Sequence, residues 1–312
     1  MHWSQVEIGA LARAASCAPS VHNSQPWALE VPDGVLRLYE RFDVSLPRHD
    51  PTGRDRVLSC GAALANLDLA VRVLGWRPEV GLLPSPERAD LVAEIRAAEP
   101  GEATPAELKR YSAIFQRSSY RSPFALHHVP PRLLRLLGDT AAGPGTEARL
   151  VQPRTEAAPL AELLAHAGQL LRADRAYQRE LTAWTAQLRE PPSRETTLPW
   201  SGLVRADTHL PDTVTLTERV AAESLLIVLT ADDTRRDQLH AGAALERAWL
   251  AAITEGLVGS VLTQPLHLPE VRAGLIEKLG LPGYPQAILR IGYPVTATPG
   301  RVLAPTGAGK RG

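Results

Sequence analysis

"RDRVLSCGAALANLDLAVRVLGW" (residues 54–76) and "RRDQLHAGAALERAWLAAITEGL" (residues 235–257) are two versions of one segment. Overlaid at an offset of 181, they agree at nine of 23 positions, including an unbroken GAAL (Gly61–Leu64 and Gly242–Leu245) and the terminal glycines Gly75 and Gly256. Each run has the apolar spacing of a long helix and is flanked by strand-like runs. Ala-rich helices match by accident more than most, yet the GAAL block and the aligned glycines survive that discount. A repeated long helix between strands predicts an internally duplicated fold, and with only two copies it is a fused pseudo-dimer rather than a solenoid.

Working outward, residues 5–16 have helical periodicity and stop at "APSVHNSQPW" (18–27), where Pro, Ser and Asn carry turn chemistry. "ALEVPDGVLRLYE" (28–40) reads as two short strands around a Pro-Asp-Gly turn, and "PEVGLLP" (78–84) as another strand. The second half opens with a helix at 105–115, the polar run "QRSSYRSPF" (116–124), a helix at 130–138 and helices over 156–188. Residues 190–212 are rich in Pro, Ser, Thr and Gly without a clean period, the mark of a lid or binding loop. Strand "SLLIVLT" (224–230), a helix over 235–254, a helix over 269–279 and the buried strand "QAILRIGY" (286–293) complete the chain. The expectation is an α+β fold with helices around central mixed or antiparallel sheets, a lid insertion, and halves at 1–104 and 105–312.

With 312 residues and 34 acidic against 34 basic side chains, no net field invites nucleic acid. Only three basic residues are lysines (Lys109, Lys278, Lys310), so an anion site would be built from planar guanidinium forks. Cys17 and Cys60 lack any zinc-like spacing and read as reduced thiols. Glu7 and Arg13 interrupt the N-terminal apolar run, and nowhere do about 18 apolar residues follow one another. The expectations are a cytoplasmic protein with no signal peptide and no membrane span.

Four stretches carry a resemblance. "APSVHNSQPW" is similar to the APSxxNxQPW motif of the flavin-dependent nitroreductase superfamily, and "RSSYRSPF" (117–124) to its RxSxRxF-type segment. "EGLVGS" (255–260) resembles its GLG turn, and "PQAILRIGYP" (285–294) with Arg301 its C-terminal strand and phosphate arginine. Alone each is weak; in this order they are specific, and they span nearly the whole chain except 190–212.

The resemblance implies FMN as cofactor. It assigns the phosphate to Arg117, Ser119 and Arg301, and puts Arg121 near the flavin N1 and O2 edge, where a fixed cation favours the reduced anion. It implies that Gly256 or Leu257 offers an N–H to the flavin N5 or O4, and that Pro19, Ser20, Val21 and Asn23 from the other half contact the ring and ribityl chain. Gln25, Pro26 and Trp27 would hold the loop. A symmetric second site would need matching motifs near the N-terminus, residue 143 and residue 75, where the chain reads "MHWSQVEIGAL", "AGPGTEARL" and "GWRPEV". One FMN per chain is therefore expected, in a monomer whose internal pseudo-dimer replaces a partner chain. This arrangement resembles the Acg subgroup. Ser118 stands where the family has a second arginine, and "TPGR" (298–301) where it has TPRR, which lowers the expected phosphate affinity.

The implied activity is NADH- or NADPH-dependent reduction of a nitroaromatic, quinone or similar small acceptor. The alternative is an FMN storage or sequestering protein closed by the lid; a third is a biosynthetic oxidase. His22 is a candidate acid, although hydride transfer through flavin requires none, and a loop histidine is more often structural. His127 and His128 diverge as neighbours, so no metal is assigned. "GAGKRG" (307–312) lacks phosphate-loop spacing. Trp184 and Trp200 flank the lid and serve either to stack over the flavin or to pack the lid.

Overall fold

The computed structural model describes residues 2–185 and 204–295. Two four-stranded sheets, antiparallel throughout, form its frame. The first orders β1 (Trp27–Glu30), β2 (Leu36–Glu40), β3 (Trp76–Leu82) and β4 (Leu91–Pro100) as β1-β2-β4-β3. The second orders β5 (Thr146–Leu150), β6 (Ser224–Thr230), β7 (Val258–Leu262) and β8 (Tyr284–Gly292) as β5-β6-β8-β7. These are the same topology. Strands β6 and β8 are almost wholly buried, β6 as an unbroken apolar run and β8 with Gln286 and Arg290 buried among its apolar residues, as strands covered on both faces are. Edge strand β3 is largely exposed and carries Pro78 and Glu79, which discourage further pairing.

Helices repeat in register with the strands. Helix α1 (Gln5–Ser16), opened by a capping box of Ser4 and Glu7, precedes the first sheet, and α2 (Arg54–Val73) joins β2 to β3. After α3 (Pro105–Ile114), α4 (Pro131–Ala141) precedes the second sheet. The second half departs at two connections, β5 to β6 and β7 to β8. Where β1 and β2 are joined by the turn Pro32–Gly34, β5 and β6 are separated by α5 (Pro153–Ala173), α6 (Arg175–Thr185) and α7 (Thr213–Ala222). Helix α8 (Arg235–Thr254) then joins β6 to β7, and α9 (Pro269–Leu279) lies between β7 and β8.

The two repeated helices pack on each other through their shared glycines. A Cβ on Gly61 would lie 2.1 Å from the Leu239 carbonyl oxygen, and one on Gly242 would lie 1.9 Å from that of Leu58. Gly61 and Gly242, like Leu58 and Leu239, are partners at the 181-residue offset, so the contact is reciprocal, as a two-fold axis demands. Only glycine allows that approach. Outer contacts repeat too. Asn66 Nδ2 donates to the Ala14 carbonyl at the end of α1 (3.0 Å), and its counterpart Arg247 donates to the Thr140 and Ala141 carbonyls at the end of α4 (3.3 and 3.2 Å). Arg54 reaches the Gln286 carbonyl on β8 (2.6 Å), while its counterpart Arg235 pairs with Glu40 on β2. Each helix thus clamps the opposite sheet.

Candidate functional site

A cleft opens between the halves, with about 860 Å³ of atom-free space, part of it continuous with solvent. Its base comes from the crossing helices: Leu58, Ser59 and Ala62 on α2, Leu245 and Trp249 on α8. Small side chains on α2 leave the room.

One wall is the loop after α1, of which Pro19, Ser20, Val21 and His22 line the cleft. His22, Asn23 and Gln25 adopt left-handed backbone (φ 50°, 55° and 47°), each at a cost of about 1 kcal/mol for a non-glycine residue. Local bonds hold the loop: Ser20 Oγ accepts from the Gln25 N–H (3.0 Å), and Gln25 Nε2 donates to the Ser16 carbonyl (3.0 Å). The buried Pro26 and Trp27 anchor its end. Of the loop's polar residues, Ser20 and His22 face the cavity.

The opposite wall is built on β7. The Tyr120 N–H donates to the Gly259 carbonyl (2.8 Å), laying residues 119–121 along that strand. Ser119 and Arg121 thereby face the cleft beside Ser260 and the exit turn through Thr263, Gln264 and Pro265. Ser260 is held by Arg290 (Nη1 to Oγ, 2.9 Å), itself paired with Glu223 at 2.6 Å. Burial lowers the Arg121 guanidinium from its ordinary range. Two polar atoms of the lining, Gln264 Oε1 and Trp249 Nε1, are buried without a hydrogen-bond partner. Such orphans suit a ligand.

A histidine-rich rim completes the site. His22 Nε2 lies 3.1 Å from His49 Nδ1, and His49 stacks on Tyr177 of α6 (centroids 5.3 Å). The Glu180 carboxylate accepts from the His49 N–H at 2.7 Å. Burial lowers the His22 imidazole to about 4, opposed by Asp55 and aided by Arg121. Burial, then His22 and His267, hold His49 well below its ordinary value. Asp55 binds Arg54 (2.9 Å) and His267 (2.9 Å); burial works to raise it, but these partners hold it below the carboxylate range. Asp50, Asp55 and His267 lie close enough to surround an ion. Asp50 spends its two oxygens on the Asp55 and Arg56 N–H groups that open α2 (3.1 and 2.9 Å), so the cluster is satisfied as a helix cap and ion pair.

The expected site residues divide. Pro19, Ser20, Val21, Ser119 and Arg121 line the cleft. Asn23 is exposed and does not. Arg117 is turned away from the phosphate role: its guanidinium donates to the Cys17 carbonyl (3.0 Å), pairs with buried Glu246 (3.6 Å) and lies over the Trp249 ring (4.6 Å). Gly256 and Leu257 sit at the other end of β7. Their N–H groups donate to Ile253 and Ala252 (both 3.0 Å) with Gly256 at φ 74°, a Schellman cap, so the flavin N–H expected there is not offered. Arg301, Trp200 and residues 190–203 lie outside the described residues; the rest of the excursion feeds α7, with Val204 fully buried. Trp184 does not line the cleft. His49, Asp55, Trp249, Ser260 and the Thr263–Pro265 turn were missed. Only the Thr-Gln-Pro punctuation after a strand hinted at the last.

No protein-family model matches the chain. Among curated proteins it is 32% identical over 302 residues to "Putative NAD(P)H nitroreductase Rv3131" of Mycobacterium tuberculosis, covering 93% of this chain and 85% of the relative. The chain belongs to the nitroreductase family. A second family relative, "Putative NAD(P)H nitroreductase acg" of the same organism, is 29% identical over 320 residues, 95% of this chain and 93% of the relative. Among solved structures, a nitroreductase with bound FMN from Bacteroides fragilis aligns at 16% identity and TM-score 0.41, over 64% of this chain and 94% of its own. The FMN-dependent nitroreductase NfnB from Mycobacterium smegmatis in complex with NADPH aligns at 18% and 0.40, over 60% and 88%.

Proposed function

We propose that the protein is an FMN-dependent oxidoreductase that carries electrons from NADH or NADPH to a nitroaromatic, quinone or similar small acceptor, with one FMN per chain held in the cleft. Family membership and the cleft between the halves support the reading. The observation that carries it is the polar lining: Arg121, the hydroxyl-bearing Ser20, Ser119 and Ser260, and Gln264 border one ligand-sized space with Trp249 at its base. These residues fit a planar heterocycle with a polar edge. Bound there, FMN supplies the two-electron chemistry; Arg121 supplies the fixed positive charge that favours the reduced anion.

The offset argues for a single site. Counterparts of Trp249 and Ser260 are Asp68 and Glu79, whose carboxylates would oppose an anionic cofactor. We read the halves as 1–104 and 105–312, products of a duplication in which one site was kept, and the protein as a cytoplasmic monomer. No described helix is long and apolar enough to cross a membrane.

One observation favours the alternative of FMN storage. Helix α6, in the block between β5 and β6, packs behind the rim histidine His49 through Tyr177 and Glu180, where a cover over the cleft would be anchored. Flavin absorbance per chain and anaerobic bleaching by NADH or NADPH separate the readings. Rapid bleaching at one flavin per chain supports the reductase; bound flavin that nicotinamide does not bleach supports storage; no flavin at all refutes both.

A further inference from the structure

His22 and His49 both line the cleft, His22 on a loop with left-handed backbone at His22, Asn23 and Gln25, and His49 on the segment that leads into α2. With Nε2 of His22 engaged by His49 Nδ1 at 3.1 Å, the ring nitrogen left for a ligand is Nδ1. Whichever of the two facing nitrogens carries the proton decides what His22 presents. If His49 Nδ1 carries it, a neutral His22 must bear its own proton on Nδ1 and offer a donor.

We propose that His22 donates a hydrogen bond from Nδ1 to an oxygen of a neutral electron acceptor in the cleft, a quinone carbonyl or a nitro group, and that His49 is the positioning residue that fixes this tautomer. The inference rests on the oxidoreductase reading and adds a residue and a substrate class to it. Arg121 is a standing cation and suits a group already negative. His22 is a neutral donor and suits an oxygen that becomes negative only as electrons arrive, so its bond strengthens toward the transition state. Neutrality is built into the surroundings. His22 faces His49, Asp55 and Arg121, and His49 faces His267, Asp55 and the Tyr177 ring. Burial lowers the His22 imidazole to about 4 and holds His49 well below its ordinary value, so both favour the uncharged form. His49 is fixed by Tyr177 against one ring face and by Glu180 on its backbone N–H.

Histidine-labelled holoprotein with 15N detection tests the tautomer. The expected result is a proton on Nδ1 of both His22 and His49 from pH 8 to 5.5, and a shift of the His22 Nδ1–H resonance on adding tetramethylbenzoquinone. A proton on His22 Nε2, or no shift, overturns the proposal. Kinetics supply the second test. His22→Gly, which suits the left-handed backbone, should slow reoxidation of pre-reduced flavin by the quinone on the order of 100-fold. Reduction by nicotinamide should change several-fold at most, and His22→Asn should recover part of the loss. Equal slowing of both half-reactions, or none, sinks the idea. If nicotinamide does not bleach the wild type, the oxidoreductase reading fails separately: dithionite-reduced protein still yields the reoxidation rate, and the titration needs no turnover.

Discussion

Gly242→Ala tests how the halves meet. The added Cβ would lie 1.9 Å from the Leu58 carbonyl oxygen, 2.7 Å from its carbonyl carbon and 3.0 Å from its Cα. All three are backbone atoms inside α2, so none can rotate away. Reaching an ordinary contact of about 3.4 Å separates α2 and α8 by about 1.5 Å at their crossing. Overpacking costs about 1–3 kcal/mol where side chains adjust; here only whole helices can, which puts the cost near 3. Alanine's helix propensity returns about 1 kcal/mol, leaving a net loss of about 2. Thermal unfolding should show a Tm lowered by about 3 °C. Since residues on both helices line the cleft, flavin should also bind more weakly. Gly9→Ala is the control of opposite sign: it is an exposed position within α1 with nothing within 4 Å of the new methyl, and should gain about 1 kcal/mol. If Gly242→Ala melts at or above the wild type, the reciprocal backbone contact is wrong.

Burial raises Glu246 to about 7 from 4.5, with Arg117 and Asn66 pulling the other way. A raised folded-state pKa gives stability that is complete below about pH 4.5 and lost as pH climbs through 7, on the order of 3 kcal/mol. Urea unfolding of wild type minus Glu246→Gln, compared between pH 5 and 8, should isolate that slope, and parallel curves would count against it. Asp55→Asn leaves the buried Arg54 without its ion-pair partner and should cost about 3–5 kcal/mol, read from the same unfolding curves. Arg121→Gln should raise the dissociation constant for FMN and make the flavin harder to reduce, measured by fluorescence titration and redox titration; an unchanged potential would remove Arg121 from the site.

What the sequence revealed followed from local rules. Helices at 5–16, 235–254 and 269–279 and the strand at 224–230 were legible because caps and apolar runs mark their ends. The repeat was legible because a glycine that touches a backbone cannot drift. Strands β4 and β5 escaped notice: β4 ends in exposed residues after its apolar start, and β5 follows a Gly-Pro-Gly turn with a short polar run. The cleft was half legible. Residues 19–22 and 119–121 sit in motifs, whereas His49, Asp55 and Trp249 enter only because distant elements fold onto one place. Gly256 misled because one glycine turn suits a helix cap and a ligand contact alike, and the hydrogen bonds decide for the cap.

The cleft draws its walls from both ends of one polypeptide, and this alters what dilution and mutation can do to it. Two separate copies would fall apart at low concentration and lose the cavity; a covalent tether makes the encounter unimolecular, so occupancy depends on ligand alone. In a pair of identical chains every substitution appears twice. Here Trp249 and its mirror position Asp68 have been free to go separate ways.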